Sequence, residues 1–192
     1  MVSNYHKLDN LSDYQTLDQY DIIHYPTKDE NTKYYAIKRK GIKVLYIIYQ
    51  YHTVFIHKSS FHGPCMSCYR NVGYRWEVLE YHDDQTQSSF YIDLSKHDTK
   101  AKFLGSNGIQ YAWHLFPEKS FFGLLVYPQK IPIAYIDSNI PDIKNCIGQL
   151  NFIHECKNIQ LLVRTAGVLL IDCLLNTQSP SNGNRKSLFF CQ

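Results

Sequence analysis

No stretch of the chain carries a common catalytic signature: there is no glycine-rich phosphate loop, no GxSxG elbow and no HExxH helix. The first ten residues, Met1 to Asn10, lack the basic-then-apolar pattern of a secretory signal, so the chain is expected in the reducing cytosol with its six cysteines as thiols. Cys65 and Cys68 form one CxxC, but no second CxxC completes the four-ligand spacing of a structural zinc site. The formal charge of +3 is far below the concentrated basicity of a nucleic-acid binder, so no nucleic-acid partner is expected. A continuous apolar run of about 20 residues, the length a membrane-spanning helix needs, is missing as well.

Glycine is scarce, with 9 residues, whereas tyrosine and phenylalanine number 16 and 10. Aromatic side chains pack well on pleated, half-buried surfaces, so the balance favours strands. The local pattern agrees. Alternating or β-branched runs bounded by turn residues predict strands over 34–38, 42–49, 53–56, 74–81, 90–94, 109–115, 121–127 and 131–136. Their spacing of about ten residues is that of a barrel or sandwich. Residues 1–32 read as a loosely ordered leader, and the Ser, Asn, Gly and Pro rich segment 177–192 as a disordered tail.

One segment differs. Residues 161–175 are apolar nearly all round, which for a helix means burial on every side. Leu161, Val163, Val168, Leu169, Ile171 and Leu174 are its expected core contacts. The run is short for a bilayer and carries Arg164 and Asp172, so a core helix is the better reading and a membrane span the alternative. The expected fold is therefore mainly β (α+β), a barrel or sandwich domain over 33–176 built around one hydrophobic C-terminal helix.

Three stretches, in order, resemble the phospholipid scramblase family. They are Leu17 to Ile23 followed by Lys33-Tyr34-Tyr35-Ala36-Ile37-Lys38 and Gly41-Ile42-Lys43-Val44; then Leu124 to Ile136 around Pro128; then Ala166-Gly167-Val168-Leu169-Leu170-Ile171-Asp172. The resemblance covers roughly residues 17–176. It implies a fold like the tubby C-terminal domain, a twelve-stranded closed barrel around one hydrophobic helix. It also implies ATP-independent movement of phospholipids between leaflets, a phospholipid membrane as partner, and residence at the cytoplasmic face, with the plasma membrane the expected one. The span between the mid-domain hairpin and the final helix is shorter than in that family, which leaves open whether the barrel closes.

By the same resemblance Cys65 and Cys68 stand where relatives carry a palmitoylated cysteine cluster. One acyl chain anchors only marginally, so stable attachment needs a second signal. Calcium is implied too, by an acidic loop before the last helix, yet in the matching segment 151–158 only Glu155 is acidic, against the roughly six to eight oxygen ligands that calcium takes. Lys38, Arg39, Lys40 and Lys43 make a basic cluster that reads either as a solvated turn or as a contact for anionic headgroups.

Other readings compete. A tubby-like module could bind phosphoinositides or protein partners and scramble nothing. Pro64-Cys65-Met66-Ser67-Cys68 matches the PCxxC of zinc deaminases, but the upstream HxE that supplies their proton shuttle is absent, which leaves a Gly-Pro turn with two small thiols. His57-Lys58-Ser59 and His97-Asp98-Thr99 match the paired HxS/T of two-histidine phosphodiesterases, or else are surface histidines on β-turns.

Overall fold

A computed structural model describes residues 15–72, 75–82, 86–94, 100–105, 107–116, 121–137 and 144–177. Its elements are β1 (Asp18–Tyr25), β2 (Thr32–Arg39), β3 (Ile42–Gln50), β4 (Thr53–His57), β5 (Cys65–Val72) and β6 (Arg75–His82). They continue with β7 (Thr86–Leu94), β8 (Lys100–Leu104), β9 (Gln110–Phe116), β10 (Phe121–Tyr127), β11 (Ile131–Asp137), β12 (Cys146–Phe152) and α1 (Ile159–Thr177). Each strand pairs antiparallel with its neighbour in sequence, and β1 pairs with β12, so twelve strands close a barrel.

Closure turns on β1. Its residues Asp18 to Ile23 pair with Phe152 to Cys146 on one side, and Tyr20 to Tyr25 pair with Arg39 to Tyr34 on the other. The leader expected over 1–32 is thus corrected: residues 18–25 belong to the wall, and the domain begins before residue 33. The barrel is complete, because β12 supplies the strand that the short span after the mid-domain hairpin left in doubt. The tail 178–192 lies outside the described residues.

Tight turns set the register. Lys40 and Gly41 both have positive φ, 49° and 78°, the geometry of the two-residue turn whose twist matches that of its strands. Tyr51 and His52 do the same between β3 and β4, with φ of 47° and 64° and no glycine. Alternation then sends one face of each strand inward: Ile22, Ile37, Leu45, Ile47, Val78 and Trp113 are at most 2% exposed.

The interior is filled by α1. Leu161, Val163, Val168, Leu169 and Ile171 are no more than 6% exposed, as an apolar helix enclosed on every side requires. Leu174 lies in α1, and its side chain is outside the described residues. The helix extends two residues beyond the expected segment at each end. Contacts are close where residues are small. A Cβ added to Gly167 would stand 2.9 Å from Ile47 Cδ1 and 3.2 Å from Ile37 Cδ1, and one on Gly148 would collide with Leu170. Among the described residues, no helix is long and apolar enough to cross a membrane.

Among the described residues, one charged pair enters this interior. Arg164 Nη2 meets Glu80 Oε1 at 2.9 Å, with the side chains 11% and 10% exposed. Arg164 also donates to Ser67 Oγ at 3.4 Å and, through Nε, to the Gln160 carbonyl at 3.2 Å. The Tyr69 phenol is fully buried next to this pair, and burial pushes its pKa up to about 12.

Candidate functional site at the helix-entry end

Antiparallel order divides the connections between two rims. The turns β2–β3, β4–β5, β8–β9 and β10–β11 share a rim with the start of β1 and with the β12–α1 segment that feeds the helix inward. The predicted site residues Lys38 to Lys43, Cys65, Cys68 and Glu155 all fall toward this end, although they stand on different strands around its circumference.

The basic cluster is in part committed to structure. Arg39 grips Asp18 through two bonds, Nε to Oδ1 at 2.9 Å and Nη2 to Oδ2 at 2.8 Å, and its guanidinium lies 5.8 Å from the Tyr20 ring centroid. That pair anchors the start of β1 to the end of β2. Lys43 Nζ sits 4.8 Å from the centre of the Tyr25 ring and 5.9 Å from that of Tyr46, and a hydrogen bond with Tyr25 holds its pKa above the ordinary lysine value. Lys40 projects at the tip of the turn, beside Ile42, which is 71% exposed.

Beside Lys43 an aromatic box covers the outer wall. Phe61, from the β4–β5 loop, meets the rings of Tyr25, Tyr34 and Tyr46 edge-on at 5.9, 5.0 and 4.9 Å. Ile23 and Ala36, on the outward side of β1 and β2, are buried next to it. The loop is pinned by Lys58 N to the Pro64 carbonyl and by His57 Nδ1 with the Gly63 carbonyl at 2.8 Å.

The expected turn closes at Gly63 and Pro64, where Gly63 N donates to the Ser60 carbonyl and Lys58 N to that of Pro64, and the two thiols stand on β5 directly after it. The ladder slips between Ile56 and His57, so that His57 faces Cys65 while Phe55 faces Cys68, and both thiols point to the outer wall. Cys68 is buried, and burial raises its pKa against the lowering effect of Arg70; burial and then neighbouring Cys68 raise that of Cys65. Both therefore stay protonated and weakly nucleophilic at neutral pH. His57 stands on β4, and His97, the other half of the paired-histidine pattern, lies outside the described residues.

Glu155 is exposed in the segment between β12 and α1. Its neighbour Asn151 is buried, with Oδ1 accepting from Gln19 Nε2 and Nδ2 donating to the Gln149 carbonyl. Among the described residues no group of three or more His, Cys, Asp or Glu side chains comes together to hold a metal ion. Among the described residues, Glu155 is not joined by the further carboxylates that a calcium ion's roughly six to eight oxygen ligands would call for.

Sequence reasoning missed the Glu80–Arg164 pair. The signal lay in β6: Trp76, Val78 and Glu80 share one face of the strand, so a carboxylate on the apolar side demanded a cation inside.

No family model, no curated protein and no solved structure matches this chain.

Proposed function

We propose that this chain is a tubby-like barrel acting as a non-enzymatic binding module for anionic phospholipid surfaces. The observation that carries the reading is the position of the helix. With α1 filling the barrel, a ligand can meet only the outside, and the helix-entry rim offers Lys40 and Ile42 on a two-residue turn. Each basic residue near an anionic leaflet contributes about 1 kcal/mol, so a few lysines with one or two apolar tips suffice for reversible association. Residence at the cytoplasmic face of a membrane, and acylation of Cys65 as a second anchor, belong to the same proposal. Cys68 is the poorer acceptor because it is buried.

Scrambling of phospholipids between leaflets is the second reading, supported by the ordered resemblance over residues 17–176. A headgroup crossing hydrocarbon needs a polar path, and the filled interior leaves that path to the outer wall. The test is sedimentation of the purified chain with phosphatidylcholine vesicles with and without phosphatidylserine, followed by exchange of fluorescent lipid between leaflets. Binding that requires the anionic lipid, without exchange, is the expected result. Exchange above that of empty vesicles would favour the second reading, and no binding to either vesicle would refute both.

A further inference from the structure

We infer that the docking face is one arc of the helix-entry rim, and that the barrel stands end-on to the lipid with its hairpin tips inserted. The inference rests on the membrane-binding reading above and adds to it the face, the orientation and the inserting residues.

Exposed large apolar side chains are unevenly distributed. Leu17, Ile42, Leu104, Ile109 and Ile131 are 58%, 71%, 59%, 37% and 47% exposed. All five belong to the helix-entry rim: Leu17 before β1, Ile42 after the β2–β3 turn, Leu104 and Ile109 flanking the β8–β9 turn, and Ile131 opening β11. The strands that carry them run in unbroken ring order from β3 through β2, β1, β12, β11, β10 and β9 to β8. Among the described residues, Tyr51 and Val72 stand at the opposite rim, Tyr91, 46% exposed, lies on β7 toward that rim, and Tyr81, 40% exposed, lies at the helix-entry end of β6 outside the arc.

Charge follows the same division. Along the arc Lys40, Lys43, Lys130 and Lys157 are exposed or at turn tips, with Lys40 two residues from Ile42 and Lys130 adjacent to Ile131. Among the described residues the acidic ones there are Asp18, held by Arg39, and Glu155. The opposite rim mixes signs: Lys28 and Lys144 stand with Asp29, Glu30 and Asp93. The β6–β7 connection, with Asp83 and Asp84 in its sequence, lies outside the described residues.

An apolar tip next to a lysine is the arrangement that a bilayer interface rewards. The side chain enters the acyl boundary while the ammonium stays among phosphates. The tips are short turns, with Lys40 and Gly41 at φ of 49° and 78° and Lys130 at 56°, so each apolar residue is held close to the end of its strand. A water-exposed protein partner would gain less from separate apolar points spread along an arc than from one contiguous patch.

The test uses the full chain and mixed phosphatidylcholine–phosphatidylserine vesicles. Ile42→Asp and Ile131→Asp are each expected to lower vesicle partition about tenfold, because burying an isoleucine in an apolar phase is worth that much or more. Tyr51→Asp, at the opposite rim, is expected to leave it unchanged. Circular dichroism identical to that of the unsubstituted chain establishes that each variant is folded, and K40E/K130E supplies a second pair that leaves every apolar residue in place. Equal partition by all variants, while the unsubstituted chain still binds, would overturn the arc and leave the membrane reading standing. If the chain dimerises without vesicles and Ile42→Asp abolishes the dimer, the arc is an interface between copies and the inference fails. No vesicle binding by the unsubstituted chain would remove both.

Discussion

Replacing Arg164 with methionine leaves the Glu80 carboxylate inside the barrel without its cation. The two groups are 2.9 Å apart and about nine-tenths buried, with Ser67 and the backbone of Gln160 completing the shell of Arg164. At a separation near 4 Å and an effective dielectric near 20, the attraction is about 4 kcal/mol, and bringing both charges in from water costs several kcal/mol each. The pair together is therefore close to neutral, whereas either half alone is not. Arg164→Met and Glu80→Leu should each cost about 3–5 kcal/mol, a large share of the roughly 5–15 kcal/mol that holds such a domain folded. The double variant should return to within about 1 kcal/mol of the parent, or exceed it. Urea unfolding followed by the fluorescence of Trp76 and Trp113, both buried in the core, measures all four corners of the cycle. Additive losses in the double variant, or a cost below about 1 kcal/mol for Arg164→Met, would refute the claim that the pair acts as a unit.

Thr165 receives the Trp113 Nε1 hydrogen at 3.4 Å and donates to the Leu162 carbonyl at 3.0 Å, so Thr165→Val should destabilise by about 1–3 kcal/mol in the same assay, with Thr165→Ser largely sparing the loss. Burial and then the charge of Lys33 hold the His24 pKa below its ordinary 6.5. The unfolded chain thus binds the proton more readily, and stability conferred by neutral His24 is present above 6.5 and declines as pH falls through the folded value. In His24→Phe the acid-side slope of stability against pH should be shallower, and a slope identical to the parent's would count against the shift.

Much of the architecture was legible. Strands such as β3 and β11 carry β-branched and aromatic runs between turn residues, and α1 reads as apolar on all sides. β1, β5, β8 and β12 were not, each for a local reason. β1 mixes Asp18, Gln19 and Asp21 with its apolar residues, since its outward side faces water and pairs with Lys38. β5 carries Ser67, Arg70 and Asn71, and its slip in register hides the alternation. β8 is five residues long and, among the described residues, has Asp93 and Leu94 of β7 in register with it, while in β12 Gln149 and Asn151 serve hydrogen bonds to Asp21 and Gln19 rather than a core. Of the candidate site, Lys38 to Lys43 was visible as a charge run, but its alignment with Leu17, Leu104 and Ile131 depends on ring order, which no local pattern encodes.

The order in which this ring is completed constrains how a ribosome can deliver it. Asp18 and Phe152 are ladder partners, so β1 leaves the exit tunnel with one of its two neighbours still unmade. The piece that occupies the middle, Ile159–Thr177, is translated after every strand of the wall. Until it arrives, the inward faces of twelve strands have nothing to close upon, and a nascent chain halted at β12 would expose Ile37, Ile47 and Val78 instead of enclosing them. Assembly is consequently a single late event with long-range pairing at its centre, slow by the standards of helical domains and dependent on protection of the waiting strands.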